Sequence, residues 1–453
     1  MESFVINKEI GKGTYGKVYE AANSKGEKYA IKTIKIGRNG IPNILEPSIM
    51  STFRHPNLAN SLFVQTHPQK LYIVMDLAVS DLASETRYSK RKEYLDIKTV
   101  KLWCHGLAKA VDCLHRNNII HCDIKAANCL LFGLKGGGTI KNGTLAKALS
   151  TEATLGASSR ATLPSEATVK LSDFGLSMLD NNTLYDHEVC TSTHRPPEVY
   201  DGKLWNSSID IWALACTFYE IAYGISLFPY HGKRSEATLQ KAKRCLQLFG
   251  ESHPMGRQRY FGESVVGGDH FEDLKGSDKE GVSDNSLIIK HPDIFYSEDH
   301  RLLNDLIFSM LQVSDVRPSS KKILEHKFFA DINNDIDYAI VSSPNIALSK
   351  EEHGHLEKQL KKYVDPDNAS SEDIIELAIE IYARCKGSSS DVEYRIPTVA
   401  MIANKLICPF WDISNFRIPP KTSEKYYKEL LRVEQDICKY LEFRLHTASK
   451  TTL

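Results

Sequence analysis

The stretch HCDIKAAN at residues 121–128 decides the fold of this chain, together with DFG at residues 173–175. The first stretch brings a carboxylate, a lysine and an amide close together, and the second adds another carboxylate. Carboxylate and amide oxygens suit magnesium, and a lysine can neutralise charge on a phosphate. These residue types therefore suit a site that binds a metal ion and a phosphate.

A glycine-rich segment, GKGTYGKV at residues 11–18, lies between two predicted strands. Glycines there let backbone amides approach a phosphate closely. A dinucleotide site has a similar spelling, but it needs a helix directly after the glycines, and residues 18–22 favour a strand. Lys32 ends a short apolar run, where its charge would face nucleotide phosphates. Glu46, in a short predicted helix, is its candidate ion-pair partner.

Apolar periodicity divides the first part of the chain into a strand-rich half and a helix-rich half. Strand-type runs separated by glycine or polar turns occupy residues 4–10, 17–21, 29–35 and 71–77. Further along, apolar residues recur every three or four positions, as one buried helix face requires. The first such face consists of Val100, Trp103, Cys104, Leu107, Val111 and Leu114. Two lobes are therefore predicted.

Three segments differ in composition from their surroundings. Residues 133–167 are rich in Gly, Ser, Thr and Ala. Such a segment buries too little apolar surface to offset the entropy of ordering, so we expect a flexible insertion. A second, loop-rich insert is expected at residues 250–285. Residues 333–348 then link the first domain, residues 1–332, to a helical region at residues 349–453.

Bulk composition limits the classes of function. The 453 residues suit two or three domains, and the formal net charge of +0 argues against nucleic acid or a membrane as the main partner. Ten scattered cysteines indicate a reducing compartment. No secretory signal is visible, and the apolar stretch 209–228 is interrupted by Glu220, so it is interpreted as a buried helix. We expect a monomer in the cytoplasm or nucleus.

Residues 4–330 resemble the eukaryotic protein kinases, and among them the cyclin-dependent kinases. Besides the segments quoted above, the resemblance rests on GIP at 40–42, HPN at 55–57, LYIVMD at 71–76 and YDHEV at 185–189. Lys125 matches the serine/threonine branch of the family. The resemblance implies a bilobal α+β kinase fold, ATP and Mg²⁺ as cofactors, and proteins as substrates.

The resemblance also implies roles for the residues around the phosphate. Asp123 would accept the proton of the substrate hydroxyl, and Lys125 would neutralise charge on the transferring group, with Thr191 beside both. Asn128 and Asp173 would hold the magnesium ions. The ion pair of Lys32 with Glu46 would complete the catalytic set.

The same resemblance outlines a nucleotide site. Its members would be Ile10, Gly11, Gly13, Gly16, Val18, Ala30, Lys32, Met75, Asp76, Ala78, Asp81 and Leu130. Met75 would be the gatekeeper, Asp76 and Ala78 would supply hinge contacts to adenine, and Asp81 would lie near the ribose. Elsewhere, Asp210 would anchor the loop that carries Asp123.

Two further expectations concern the segment after residue 185. Glu198 would pair with Arg317 in the manner of the family. Because Arg195 is also retained, a preference for proline after the phosphoacceptor is expected.

The regulatory residues depart from the family in a consistent way. Thr14 and Tyr15 match the family's inhibitory phosphorylation sites, but Asp186 stands where the activating phosphothreonine would be. The three arginines that hold that phosphate are replaced by Leu45, Cys122 and Met178. Losing a dianion together with all its cations leaves no unpaired charge. We therefore expect activity that does not depend on phosphorylation of this segment.

The C-terminal region, from about residue 349 to 447, resembles a single cyclin box, an all-α domain of five helices. Residues 397–405 match its third helix, and residues 416–445 match its fourth and fifth. Tyr427, Leu431, Glu434, Cys438, Leu441 and Leu445 would share one helix face. A glutamate in an apolar face needs a partner, and Lys405 is the candidate. In the family this pair grips the helix that bears the catalytic glutamate, so the resemblance predicts activation in cis.

Two alternatives stay open at this point. The C-terminal region can be a generic helical extension that packs on the kinase. The whole chain can also be a pseudokinase or scaffold, with its helices as a docking module. A pseudokinase would need a broken site, whereas every residue of the catalytic set is present. The physiological substrate is not revealed by the sequence.

Overall fold

A computed structural model gives the fold of the chain. It describes residues 4–13, 16–37, 40–87, 95–133, 167–180, 184–228, 297–332, 339–340, 348–366, 368, 370–388, 392–408 and 424–445. The two predicted insertions fall almost entirely outside these residues, as do most of the predicted linker and both Thr14 and Tyr15.

Five antiparallel strands form the first sheet, in the order β1-β2-β3-β6-β5. Its strands are β1 (Val5–Lys12), β2 (Gly16–Ala22), β3 (Lys28–Lys35), β5 (Ser61–His67) and β6 (Lys70–Asp76), with the short β4 (Phe53–Arg54) outside it. The four predicted strand runs are confirmed, but β5 was missed. Its pattern is weak because Leu62 and Phe63 are both exposed.

One short helix, α1 (Leu45–Thr52), packs against β5 and is buried along its whole length. Glu46 is its second residue, and Pro47 follows in the first turn. Proline is tolerated there because the first N–H groups of a helix have no partner within it. The sequence expectation of a short helix around Glu46 is confirmed.

The longest helix of the second half is α3 (Ile97–Arg116). The others are α2 (Leu82–Thr86), α4 (Pro197–Tyr200), α5 (Ser208–Tyr223), α6 (Glu298–Met310) and α7 (Ser320–Leu324). Helix α3 packs against α5 and α7. Asp96 caps α3 by accepting from two backbone amides. All six apolar residues predicted to share its face are buried.

The apolar stretch that contains Glu220 forms α5, which is buried and ends at Gly224 in the left-handed conformation. Among the residues that the structure describes, no helix is long and apolar enough to cross a membrane.

Short strands at the junction of the two halves bring the two signature stretches together. They are β7 (Ser80–Asp81), β8 (Ile119–Ile120), β9 (Cys129–Phe132), β10 (Thr168–Leu171) and β11 (Met178–Leu179). β9 lies between β7 and β10, while β8 pairs with β11. The Ser172 amide then donates to the Asn128 carbonyl at 2.9 Å, so residues 121–128 and 173–175 lie side by side.

The C-terminal region contains four helices among its described residues: α8 (Lys350–Leu360), α9 (Ser371–Cys385), α10 (Val392–Ile407) and α11 (Glu424–Tyr440). The predicted helix through residue 445 is wrong at its end. Helix α11 ends at Tyr440 because Glu442 and Phe443 adopt left-handed conformations. Leu441 and Leu445 are nevertheless buried.

The start of α9 lacks a side-chain cap, although a serine precedes it. Ser370 occupies the N-cap position, but its side chain makes no capping hydrogen bond. A complete capping box instead begins α8, where Ser349 and Glu352 bond each other's backbone amides.

Candidate active site

Asp123 is the centre of a hydrogen-bonded cluster. Its Oδ2 accepts from Lys125 Nζ at 2.7 Å and from Asn128 Nδ2 at 3.0 Å. Its Oδ1 accepts from Thr191 Oγ1 at 2.6 Å, and Thr191 Oγ1 also lies 2.8 Å from Lys125 Nζ. The structure therefore brings together the four residues that the sequence placed around the transferring phosphoryl group.

The loop that carries Asp123 is held by the buried carboxylate of Asp210. Asp210 accepts from the backbone amides of His121 at 2.7 Å and Cys122 at 3.0 Å, and His115 Nε2 lies 3.0 Å from it. Cys122 has a φ of 66°, a conformation that is strained for a residue with a side chain. The two bonds to Asp210 hold that turn, as the resemblance led us to expect.

Lys32 lies between two carboxylates. Its Nζ is 2.5 Å from Glu46 Oε1 and 2.8 Å from Asp173 Oδ1. Burial alone would lower the pKa of Lys32, but the two negative charges outweigh it and raise that pKa. Burial likewise acts to raise the pKa of Asp173, and Lys32 overcomes it and holds that pKa below its usual value. Both groups are therefore charged at neutral pH.

The glycine-rich segment reaches this triad. A Cβ added at Gly13 would lie 3.9 Å from Lys32 Nζ and 4.0 Å from Asp173 Oδ1. A Cβ at Gly16 would collide with the carbonyl of Thr33 on β3, so only glycine fits there. The segment consequently lies directly against the charged groups.

The other proposed nucleotide-site residues lie on the strands around this point. Ala30 pairs with Met75 across β3 and β6, and Val18 pairs with Lys32 across β2 and β3. Ile10 and Gly11 lie on β1, Asp76 is the last residue of β6, and Ala78 follows that strand.

Asp81 pairs with Leu130 across β7 and β9, so the structure brings these two predicted site residues together. Asp81 also caps α2, with its carboxylate accepting from the amide and hydroxyl of Ser84 at 2.9 and 2.8 Å. The sequence interpretation missed this structural role.

The donor set fits magnesium. Asp173 offers a charged carboxylate that is 36% exposed, and Asn128 offers an amide oxygen because its nitrogen is engaged with Asp123. Hard oxygen ligands from one carboxylate and one amide, completed by substrate phosphates and water, suit Mg²⁺. Asp173 has a φ of 63°, and the next residue, Phe174, is buried against the His121 ring.

The segment after β11 is held by arginines at two points. Arg195 donates to the carbonyls of Val189 and Cys190, each at 2.8 Å, and also contacts Glu188. Cys190 has a φ of 66°. Arg317 forms a bidentate pair with Glu198 at 2.5 and 2.8 Å, the pairing that the resemblance implied.

An apolar cluster occupies the place where the resemblance would put a phosphate and its arginines. Cys122 and Met178 pack there with Ile120, Val189, Cys190, Val199, Trp205 and Ile209. Leu45, the third replacement, is buried in the main core. Asp186 is exposed, outside the cluster, while His187 Nε2 lies 3.3 Å from Met178 Sδ. Burial raises the pKa of Cys122 well above its usual value, so this thiol is an inert core residue.

The C-terminal helices contact the residues just before α1. Lys405 and Glu434 form an ion pair whose side chains are 6% and 0% exposed. Glu434 Oε2 also accepts from the backbone amide of Ile41 at 3.2 Å. Gly40, with a φ of 79°, lies so close that an added Cβ would be 2.7 Å from Lys405 Nζ and 2.9 Å from Leu431. Only glycine fits this contact.

Two more contacts join the C-terminal part to the same neighbourhood. A short strand before α8, β12 (Ala339–Ile340), pairs antiparallel with β4, which directly follows α1. Helix α10 also packs on β11. Helix α1 is thus flanked by contacts at both of its ends.

Sequence reasoning missed Gly40 and Asn43 as functional candidates. Gly40 belongs to the GIP stretch that supports the resemblance, but neither that stretch nor the short spacing between Pro42 and Glu46 indicates which backbone groups the C-terminal helices would meet.

Comparison with known proteins agrees with this geometry. The family described as "Protein kinase domain" matches residues 4–329. A curated relative from Trypanosoma brucei brucei, "Cell division control protein 2 homolog 3", is 30% identical over 249 residues, which cover 53% of this chain and 68% of the relative.

Proposed function

Because the chain belongs to the protein kinase family, we propose that it is a serine/threonine protein kinase of the cyclin-dependent type, activated in cis by its own C-terminal helices. The observation that carries the proposal is the hydrogen bond from the Ile41 amide to Glu434. Ile41 lies five residues before Glu46, the partner of Lys32. The hydrogen bond joins the C-terminal region to the segment that leads into α1.

In this proposal the chain's own residues act as follows. Asp123 accepts the hydroxyl proton of a serine or threonine, and Thr191 keeps its carboxylate oriented. Lys125 donates to the γ-phosphoryl oxygens, and Lys32 to the other phosphates of ATP. Asn128 and Asp173 would hold Mg²⁺, which supplies charge neutralisation along the phosphates. The pseudokinase alternative has no support in a site where each of these groups has its partner.

Activation in cis follows from what the C-terminal contacts do to α1. Glu46 must stay beside Lys32, and a helix of eight residues is too short to be stable alone. The Lys405–Glu434 pair fixes the chain before the helix, and β12 fixes the chain after it. Because the activator is covalently attached, its effective concentration can reach about millimolar, which favours constitutive docking. The cyclin-box assignment of residues 349–453 is part of this proposal.

We expect catalysis without phosphorylation of the segment that contains Asp186. The apolar cluster around Cys122 and Met178 stabilises by burial the turn that a phosphate–arginine network would otherwise hold. Protein purified from bacteria should phosphorylate a generic substrate at an initial rate that treatment with an activating kinase does not change.

A variant tests the same cluster from within. Met178→Arg places an unpaired charge in it and should lower the rate, whereas the volume-conserving Met178→Leu should not. Activity that appears only after treatment with an activating kinase would contradict this prediction.

We also expect preference for proline directly after the phosphoacceptor. Arg195 already donates to the carbonyls of Val189 and Cys190, so these two carbonyls are poorer acceptors for the backbone N–H of a bound substrate. Proline has no N–H to leave unpaired. A peptide with Ser-Pro should exceed its Ser-Ala counterpart by roughly tenfold in kcat/KM, the cost of one unmet hydrogen bond.

Arg195 and its neighbour Glu188 provide a test variant and a matched control. Arg195→Ala should reduce the ratio of kcat/KM between the Ser-Pro and Ser-Ala peptides. Glu188→Gln leaves the hydrogen bonds to the two carbonyls intact, so it should preserve that ratio. Equal rates on both peptides with the unaltered chain would contradict this specificity.

A further inference from the structure

Asn43 lies between the docking contact and the catalytic centre, and no role has been assigned to it above. Its Oδ1 accepts from the Glu46 amide at 3.1 Å. Its Nδ2 donates to the carbonyl of Phe174 at 3.3 Å and to the carbonyl of Gly175. One side chain therefore ties the start of α1 to the two residues that follow Asp173.

The position demands this residue type. Asn43 has a φ of 42°, in the left-handed region that asparagine tolerates better than most residues. Only an amide presents a donor and an acceptor in fixed geometry at this length. An aspartate could still accept from the Glu46 amide, but it would place negative charge against two carbonyl oxygens.

Asn43 is also close along the chain to the contact with the C-terminal helices. Ile41 donates to Glu434, Pro42 follows, and Asn43 then bonds both α1 and the Phe174-Gly175 carbonyls. Proline restricts the backbone between them, so a displacement at Ile41 is passed on rather than absorbed.

We propose that Asn43 is a positioning residue that transmits docking of the C-terminal helices to the metal-binding Asp173 and to the Lys32–Glu46 pair. The transmission rests on the proposed activation in cis. The positioning of Asp173 does not, since it depends only on the bonds that Asn43 itself makes. The two statements can therefore fail separately.

The first experiment compares Asn43→Asp and Asn43→Ala with Asn118→Ala. Asn118 is also a left-handed asparagine, at φ 55°, and it is exposed, so it controls for backbone strain. Both Asn43 variants should lower kcat by about 10- to 100-fold and raise the Mg²⁺ concentration for half-maximal rate. The KM for ATP at saturating Mg²⁺ should match that of the control, because the adenine side of the site is untouched. The melting temperature should also match that of the control.

The second experiment combines Asn43→Asp with Glu434→Ala. If Asn43 transmits the docking contact, the double variant should be little slower than the slower single variant, because both break one chain of contacts. Fold-losses that multiply would overturn transmission.

The outcomes separate the two proposals. Asn43 variants with the kcat and Mg²⁺ dependence of Asn118→Ala would overturn the positioning role, whatever Glu434→Ala does. Full activity of Glu434→Ala, with kcat lost in Asn43→Asp, would overturn activation in cis and transmission but keep the positioning role.

Discussion

Replacing Asp123 with asparagine should lower kcat by about 10²- to 10⁴-fold, the usual contribution of a positioned general base. Asparagine keeps the size of the side chain, so the contacts of Lys125 and Thr191 persist in part while the proton acceptor is lost. The loss is measured as the initial rate of phosphate transfer to a generic basic protein at saturating ATP.

Asp305 offers a matched control. It is an exposed aspartate on α6, far from the site in the helical half, and Asp305→Asn should retain the rate of the unaltered chain. Binding of a fluorescent nucleotide should persist in Asp123→Asn, which shows that the site is still folded. If Asp123→Asn transferred phosphate at the rate of the unaltered chain, the assigned chemistry would be contradicted. If the unaltered chain itself transferred no phosphate, the scaffold alternative would be favoured.

Loss of the docking pair should have the second large effect. Glu434→Ala removes the carboxylate that forms the buried ion pair with Lys405 and accepts the hydrogen bond of the Ile41 amide. Removing one member of a buried ion pair costs about 3 to 5 kcal/mol, and about 3 kcal/mol corresponds to roughly 100-fold in an equilibrium. If that equilibrium is docking of α1 in its active position, kcat should fall by about the same factor.

Part of that cost can fall on the C-terminal helices themselves, since Lys405 and Glu434 lie on α10 and α11. The double variant Lys405→Met/Glu434→Leu resolves this, because replacing a buried pair by apolar residues is often neutral for stability. The double variant should have the melting temperature of the unaltered chain and still lose activity. A double variant that is both stable and fully active would show that the pair only holds the helices together.

Much of the catalytic site was predictable because its chemistry depends on residue types at short spacing. Asp123, Lys125 and Asn128 fall within one turn-rich loop, so their mutual contacts follow from local structure. Asp173 was assigned to the same site by the family resemblance, and in the fold the pairing of β9 with β10 brings it there.

The remainder depended on contacts between distant segments. A glycine at position 40 is compatible with any turn, and nothing local shows that Glu434 and Lys405 will cover it. The bonds of Asn43 to residues 174 and 175 are equally invisible, because a short polar residue before a helix is ordinarily interpreted as a cap. The end of α11 was misjudged because Leu441 and Leu445 continue the apolar face although the backbone leaves the helix.

The resemblance places Leu45, Cys122 and Met178 where the family has arginines, and the structure buries all three among apolar side chains. Cys122 and Met178 build an apolar cluster with Trp205, and the exposed Asp186 takes no part in it. The carboxylate of Asp186 therefore does not occupy the place where the family would hold its activating phosphate.

Comparison of Gly40→Ala with Gly26→Ala tests activation in cis most directly. Both glycines have a φ of 79°, but a Cβ at Gly40 meets Glu434, Lys405 and Leu431, whereas a Cβ at Gly26 meets nothing within 4 Å. Each full chain, purified from bacteria and assayed without any added cyclin, reports its initial rate of phosphate transfer. The account predicts an active unaltered chain, a similar rate for Gly26→Ala, and at least about a tenfold loss for Gly40→Ala. Equal rates for the two variants, or an unaltered chain that is silent until a separate cyclin is added, would contradict it.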